Sequence, residues 1–387
     1  MNNKLSDKKK KKHGGNGLLI STIITFTAVF LFAVVFIILI LKDTSPPSNV
    51  IPGSSVIEEP EPVPQETPAV ITTTPPVTIP IFPEPVTETS EAQVFTKPEY
   101  IFPDDFATEL LSSDYYLPCK EGGTVQHISY DAVDYLTGEP IKKIMDVYVP
   151  YAYSKENQYN VLILSPGAGQ SQDVWFQERE GADGIPISTR NLLDNMIYYG
   201  KCAPLIVASV TVVNSVSCNG KAFDVPQLET DGDQLAAELV QDILPCLVST
   251  YSTYSAGTSP EELMAARDHF AYGGLSWGAL MGYYRILPVD LEYFGWFGIF
   301  ATNGLRVTNI IKVVKEKIDS YPLDYLIGTC GTSDPYFDAA KDVQNKLEDG
   351  CPGIDSGVNS SFIAINLGTH GFGTWEASLY NCLIAFF

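Results

Sequence analysis

Apolar strand-like runs that alternate with helix-like runs predict an α/β domain, with a mostly parallel sheet and helices on both faces. Three observations carry this expectation. Short runs rich in Val, Ile, Leu, Phe and Tyr centre on residues 126–130, 145–149, 161–164, 205–213, 269–273, 296–301, 324–329 and 362–366, giving an eight-stranded sheet. Helical patterns separate the later runs; residues 234–248, for example, place Leu235, Leu239 and Ile243 on one face. The foldable stretch, 119–387, has a length that suits one such domain.

The segments before that domain differ in kind. Residues 1–17 hold six lysines against one aspartate, a local charge of +5 in a chain of net charge −22. Residues 18–41 are an uncharged, almost wholly apolar run of 24. About 20 such residues cross a bilayer as a helix, and no small-residue cleavage site follows, so the run reads as a transmembrane helix. The preceding lysines put a basic tail, 1–17, in the cytoplasm. Residues 42–118 read as an extracellular linker. Between 44 and 98 lie 13 of the 27 prolines, with many Thr, Ser and Glu, a composition that buries no core and favours an extended spacer. The expected organisation is thus tail, membrane span, linker, and an outward-facing domain on the cell surface.

Beyond the basic tail the chain carries −27, which argues against a nucleic-acid partner. The seven cysteines (Cys119, Cys202, Cys218, Cys246, Cys330, Cys351 and Cys382) all fall on the expected outer side, where disulfides persist. Their odd number leaves at least one thiol free, and their spacing matches no zinc site. Cys246 and Cys330 read as core residues. No motif requires a metal or cofactor.

The stretch Gly274-Leu275-Ser276-Trp277-Gly278 lies where an apolar run ends and a helix-like run begins. A serine between two glycines at a strand-to-helix turn is a nucleophile elbow: the turn is sharp, and the flanking positions leave no room for Cβ. A serine hydroxyl needs a base. Of the four histidines, His13 lies in the lysine run, His127 in an early strand, and His269 at the start of the elbow strand. His370 follows the last strand in a Gly-rich loop and is the candidate base. A carboxylate must then fix the imidazole. Asp334 follows a strand through Gly331-Thr332-Ser333, between Ser276 and His370 in the chain. It also suits the N-cap of the next helix, and the two roles are compatible. Asp355, in a Gly-rich turn, is the weaker alternative. Oxyanion donors are expected from the N–H of Trp277 and from that of Ala168, in the loop Pro166-Gly167-Ala168-Gly169 after the third strand.

From about Gly122 onward these segments together resemble the feruloyl esterase branch of the esterase D-like α/β-hydrolases, in carbohydrate esterase family one. The resemblance runs in order through Asp146-Val147-Tyr148-Val149-Pro150, the Pro166–Ser171 loop with Trp175-Phe176, residues 191–201, residues 238–245, the elbow, Gly331-Thr332-Ser333-Asp334, and His370-Gly371-Phe372 with Trp375, Leu379, Tyr380 and Asn381. It departs from the family at Pro166, where His is usual, at Trp277, where a small residue or Met is usual, and at Gly371, often Asp. The resemblance implies an α/β-hydrolase fold and a serine esterase acting on feruloyl or acetyl groups of plant cell-wall polysaccharide such as xylan, or on a small ester. It implies acyl or sugar contacts from Gly169, Trp175 and Phe176, with Trp277 beside them. An acyltransferase on cell-surface glycans would share the triad, and a catalytically silent surface-binding module would not need it.

Overall fold

Eight strands, β1 (Thr124–Val133), β2 (Pro140–Val149), β3 (Asn160–Ser165), β4 (Leu205–Ser209), β5 (Phe270–Leu275), β6 (Trp296–Phe300), β7 (Tyr325–Gly331) and β8 (Ser360–Ile365), form one sheet. Their order is β1-β2-β4-β3-β5-β6-β7-β8. This is a computed structural model that describes residues 106–181, 185–212, 225–304 and 307–387, all within the unit Phe95–Phe387. The apolar run over 18–41 expected to span the membrane, the proline-rich stretch and Cys218 lie outside the described residues. Among the described residues no helix is long and apolar enough to cross a membrane.

β1 and β2 form an antiparallel hairpin, with Thr124 opposite Val149 and Val133 opposite Pro140. β2 joins β4 antiparallel, and every later pairing is parallel. The expected alternation is therefore present, and its middle strands are the uniformly apolar ones. β3 and β5 are buried along their whole length because helices cover both faces of a parallel sheet. Successive side chains serve opposite faces. Val161 and Ile163 join the core that holds Tyr272 and Met281, whereas Leu162 and Leu164 join the core that holds Trp175 and Tyr380.

The helices are α1 (Thr189–Tyr198), α2 (Val225–Glu238), α3 (Leu244–Thr250), α4 (Pro260–Ala265), α5 (Trp277–Met281), α6 (Leu287–Val289), α7 (Val307–Lys317), α8 (Phe337–Gly350) and α9 (Phe372–Ala385). The helix expected over 234–248 is α2 and α3 joined by a π-turn, Leu239–Ile243, just before Pro245. A second π-turn, Gly282–Ile286, precedes Pro288. In each case proline lacks the N–H of the helical ladder and its ring crowds the carbonyl four residues back; the widened turn accommodates it. β4 stops at Ser209, short of the expected 213, although the Val210 N–H still donates to Leu164 O at 3.1 Å.

One boundary is corrected. The sequence reading assigns everything to 118 to the linker, but residues 106–117 pack on the domain. Ala107 exchanges hydrogen bonds with the Asn381 side chain in both directions, at 2.6 and 2.9 Å. Asn191 and Asn195 on α1 donate to the carbonyls of Tyr116 (2.8 Å), Tyr115 (3.1 Å) and Leu117 (2.8 Å). Tyr116 is buried, and Tyr115 meets Tyr380 edge-on. The strap has almost no regular structure, so it carries no periodic signal; side-chain amides supply the partners its backbone needs.

Candidate active site

The elbow is built as its sequence requires. Ser276 joins β5 to α5 with φ +52°, in the left-handed region. A Cβ on Gly274 would lie 2.5 Å from the carbonyl carbon of Gly278, and one on Gly278 would lie 2.8 Å from Pro166 O. Strand, turn and helix therefore approach too closely for any other residue at either glycine. The Ser276 N–H donates to Phe300 O on β6 at 2.9 Å, and Ser276 O accepts from the Leu280 N–H at 3.0 Å.

The chain brings three distant residues together here. Ser276 Oγ donates to His370 Nε2 at 2.9 Å, and His370 Nδ1 donates to Asp334 Oδ2 at 2.7 Å. The Asp334 side chain is fully buried and that of His370 is 26% exposed, so the carboxylate is shielded while the imidazole reaches solvent. Asp334 Oδ1 accepts from the Tyr336 N–H at 2.9 Å. One oxygen thus holds the turn into α8 and the other holds the imidazole. The two loops are also joined through their backbones: Ser333 N–H donates to Gly368 O at 2.8 Å, and Thr332 N–H to Ile365 O at 2.8 Å. The rings of Tyr336 and Trp375 meet His370 edge-on at 5.2 and 5.3 Å. Asp355 sits in an exposed turn closed by Val358 and Asn359.

The other two described histidines are engaged elsewhere. His127 pairs with Asp146 at 2.6 Å across the β1–β2 hairpin. His269 bonds Asn160 at 2.8 Å and stacks on Tyr254 at 3.6 Å, at the far end of β5 from Ser276. Cys330 is buried at the end of β7, where burial first and the Asp334 charge second push its thiol up, so it stays protonated. All six described cysteines, Cys246 and Cys330 among them, are free thiols.

The loop expected to supply an oxyanion donor lies against the nucleophile. A Cβ on Gly167 would be 3.4 Å from Ser276 Cβ. The Gly278 N–H donates to Pro166 O at 3.1 Å, and the Gly167 N–H is held by Gln170 Oε1 at 2.8 Å. Ala168 and Gly169 follow, both exposed, with Gly169 at φ +71°. Trp277 heads α5, directly after Ser276.

The aromatic residues are placed differently from expectation. Trp175 is 0% exposed. Its indole N–H donates to Ser165 O at 3.3 Å, and its ring packs edge-on against Phe300 and Phe372. It supports the loop from beneath and is enclosed by protein, which corrects its assignment as an acyl contact. Phe372 in turn meets Trp375, whose ring meets His370, so aromatic rings run from under the Pro166–Gly169 loop to His370. Arg179 lies 3.2 Å over the Phe372 ring. Phe176 is half-buried. Trp277 is 5% exposed, with its indole N–H on Asp231 Oδ2 at 3.2 Å. Gln170, Tyr336 and Asp231 escaped the sequence reading: each acts through one side chain or ring whose partner is distant or unremarkable in sequence.

No protein-family model matches the chain. It is 27% identical over 286 residues to endo-1,4-beta-xylanase Y of Acetivibrio thermocellus, covering 71% of this chain and 24% of that protein. The chain thus spans about a quarter of the length of that relative. Among solved structures, the feruloyl esterase module of Clostridium thermocellum complexed with sinapinate is similar, with TM-score 0.60 and 24% identity over 74% of this chain and 96% of that one. A CE1 ferulic acid esterase from Anaeromyces mucronatus, in complex with ferulic acid, has TM-score 0.58 and 17% identity over 73% and 97%. The chain has the α/β-hydrolase fold; in structure it is similar to feruloyl esterases, and in sequence to a stretch of a xylanase.

Proposed function

We propose that the chain is a serine esterase that hydrolyses carboxylic esters, with feruloyl or acetyl groups on xylan as its substrate class. The observation that carries this is the unbroken hydrogen-bonded line from Ser276 Oγ through His370 to the buried Asp334. In that arrangement His370 Nε2 takes the Ser276 proton as Oγ bonds to the ester carbonyl carbon. The carbonyl electron pair moves onto oxygen, which the Trp277 and Ala168 N–H groups receive. The C–O bond to the alcohol breaks, and His370 returns the proton to the departing oxygen. Water then repeats the sequence on the acyl-enzyme, releasing the acid and restoring Ser276.

The similarity to feruloyl esterases supports the acyl group and the polysaccharide setting. The half-buried Phe176 and the exposed Gly169 are the remaining candidates for acyl contact. The apolar run over 18–41, its flanking lysines and the proline-rich stretch support a single-pass anchor that holds the domain outside the cell, reaching substrate through a long spacer. The test is kcat/KM on methyl ferulate, acetylated xylan and a short-chain aryl ester, for wild type and Ser276→Ala. Loss of all hydrolysis in a folded Ser276→Ala variant, and a preference for ferulate of about tenfold, or about 1.4 kcal/mol of transition-state binding, is the expected result. Activity confined to the aryl ester would refute the substrate class; retention of a tenth of kcat by Ser276→Ala would refute the nucleophile.

A further inference from the structure

The residue after the nucleophile carries a large side chain, and that side chain is clamped. Trp277 turns its ring into the core on the α2 side of the sheet. There its indole N–H donates to Asp231 Oδ2, and Asp231, on α2, is itself 2% exposed. A carboxylate accepting from a neutral donor in a buried setting makes a stronger bond than a neutral pair would. The same stretch of α2 is fixed to the segment after the elbow at further points. Tyr284 Oη donates to Glu229 Oε1 at 2.7 Å, and Arg285 pairs with Asp233 at 3.1 Å. Beside Asp231, a Cβ on Gly232 would lie 2.5 Å from the Arg285 side chain, so the two helical segments are in close contact. The carboxylate is therefore held on a rigid support, and Trp277 is tied to it through its ring as well as through its peptide.

We propose that Asp231 is a positioning residue for the oxyanion site: by holding the Trp277 indole it fixes the peptide plane whose N–H meets the developing negative charge. This rests on the esterase reading above. The chemistry explains why the clamp matters. Trp277 follows a residue with φ +52°, and in the esterase reading its part in the chemistry is its backbone N–H alone. A donor aimed at a transition-state charge loses most of its effect when displaced by a fraction of an ångström. A tryptophan anchored at its far end resists the small rotation that would displace it.

The experiment uses the full chain. Hydrolysis of a short-chain aryl ester, lost in Ser276→Ala, first establishes the esterase; no wild-type hydrolysis would overturn that reading and this one with it, whereas hydrolysis that the changes below leave intact would overturn this one alone. Asp231→Leu is then expected to lower kcat roughly 10- to 100-fold. Its affinity for phenylboronic acid, which forms a tetrahedral adduct on Ser276 Oγ, should fall by a similar factor while KM stays within about threefold. Asp231→Asn keeps an acceptor for the indole and should recover most of the loss. Trp277→Phe, which keeps a ring and removes the N–H, should reproduce the defect, and combining it with Asp231→Leu should add little. Trp277→Phe also decides the matter if Asp231→Leu does not fold. A folded Asp231→Leu or Trp277→Phe enzyme with kcat and boronate affinity within twofold of wild type would overturn the proposal. So would a loss confined to thermal stability.

Discussion

Replacing Asp334 with asparagine separates the two jobs this residue performs. Its Oδ1 accepts from the Tyr336 N–H at 2.9 Å, and its Oδ2 from His370 Nδ1 at 2.7 Å. An asparagine can keep the first bond with its carbonyl oxygen, which leaves its NH2 facing the imidazole. An NH2 only donates, so Nδ1 must become the acceptor and Nε2 must carry the ring hydrogen. Nε2 then points a donor at Ser276 Oγ and cannot take its proton. The side chain is fully buried, so water does not substitute for the lost acceptor. Wrong-tautomer changes of this kind cost about 10⁴ in kcat, or about 5.5 kcal/mol of barrier. Because the turn into α8 survives, Tm should move little. The assay is kcat on an aryl ester alongside a thermal melt, with Asp355→Asn as the control, expected to be silent because Asp355 lies in an exposed turn. A folded Asp334→Asn enzyme within tenfold of wild-type kcat, or a larger loss from Asp355→Asn, would refute the triad.

A soluble chain that begins at residue 100 should be more stable and at least about tenfold more active than one that begins at 119, since the shorter chain loses the strap that bonds Asn366, four residues before His370, through Thr108 O at 2.6 Å; equal melts and equal kcat would refute this. Protease added to intact cells should release an active fragment whose N-terminus precedes Phe106, whereas protection until lysis would reverse the membrane orientation. Glu376 is wholly enclosed on α9, bonded by Thr189 Oγ1 at 2.5 Å, and burial pushes its carboxyl up to about 7 against the opposing pulls of Thr189 and Arg179. A raised carboxyl binds its proton more tightly in the folded state, so stability should be full below about pH 4.5 and decline as pH rises towards 7. Glu376→Gln should flatten that decline and raise stability at pH 8 by up to about 3 kcal/mol, read from urea melts at pH 5 and pH 8; a destabilised variant at pH 8 would contradict it.

What could be read from the sequence was whatever repeats or punctuates. The central parallel strands are visible because a sheet covered on both faces needs unbroken apolar runs such as Val161-Leu162-Ile163-Leu164. Ser276, Asp334 and His370 are visible because each follows a strand and sits among glycines that only a tight turn requires. The strap over 106–117 is not legible, since its carbonyls are held by Asn191, Asn195 and Asn381, which are ordinary polar residues in sequence. Trp175 reads equally well as a pocket wall or as a support; only its enclosure by Phe300 and Phe372 decides. The acceptor of the Trp277 indole lies 46 residues away on another helix, and no local pattern marks it.

The elbow shows how the fold sustains a strained serine. A serine at φ +52° costs on the order of 1–3 kcal/mol relative to an ordinary backbone conformation. Left to itself the turn would relax, and Oγ would leave the 2.9 Å approach to His370. Four hydrogen bonds oppose that relaxation: Ser276 N–H to Phe300 O, Leu280 N–H to Ser276 O, Gly278 N–H to Pro166 O, and Tyr272 Oη to Gly278 O. Each contributes about 1 kcal/mol net, so together they match or exceed the strain. Three of the four tie the turn to something other than itself, namely the neighbouring strand β6, the Pro166 loop and a buried tyrosine of β5. The same Pro166–Gly278 bond that restrains the turn also ties Ser276 to the loop that holds the Gly167–Ala168 peptide. Strain in the serine and placement of the Pro166–Gly169 loop are therefore coupled through one contact; that contact leaves no space for a Cβ on Gly278, and the Gly278 backbone in turn leaves none for a Cβ on Gly274.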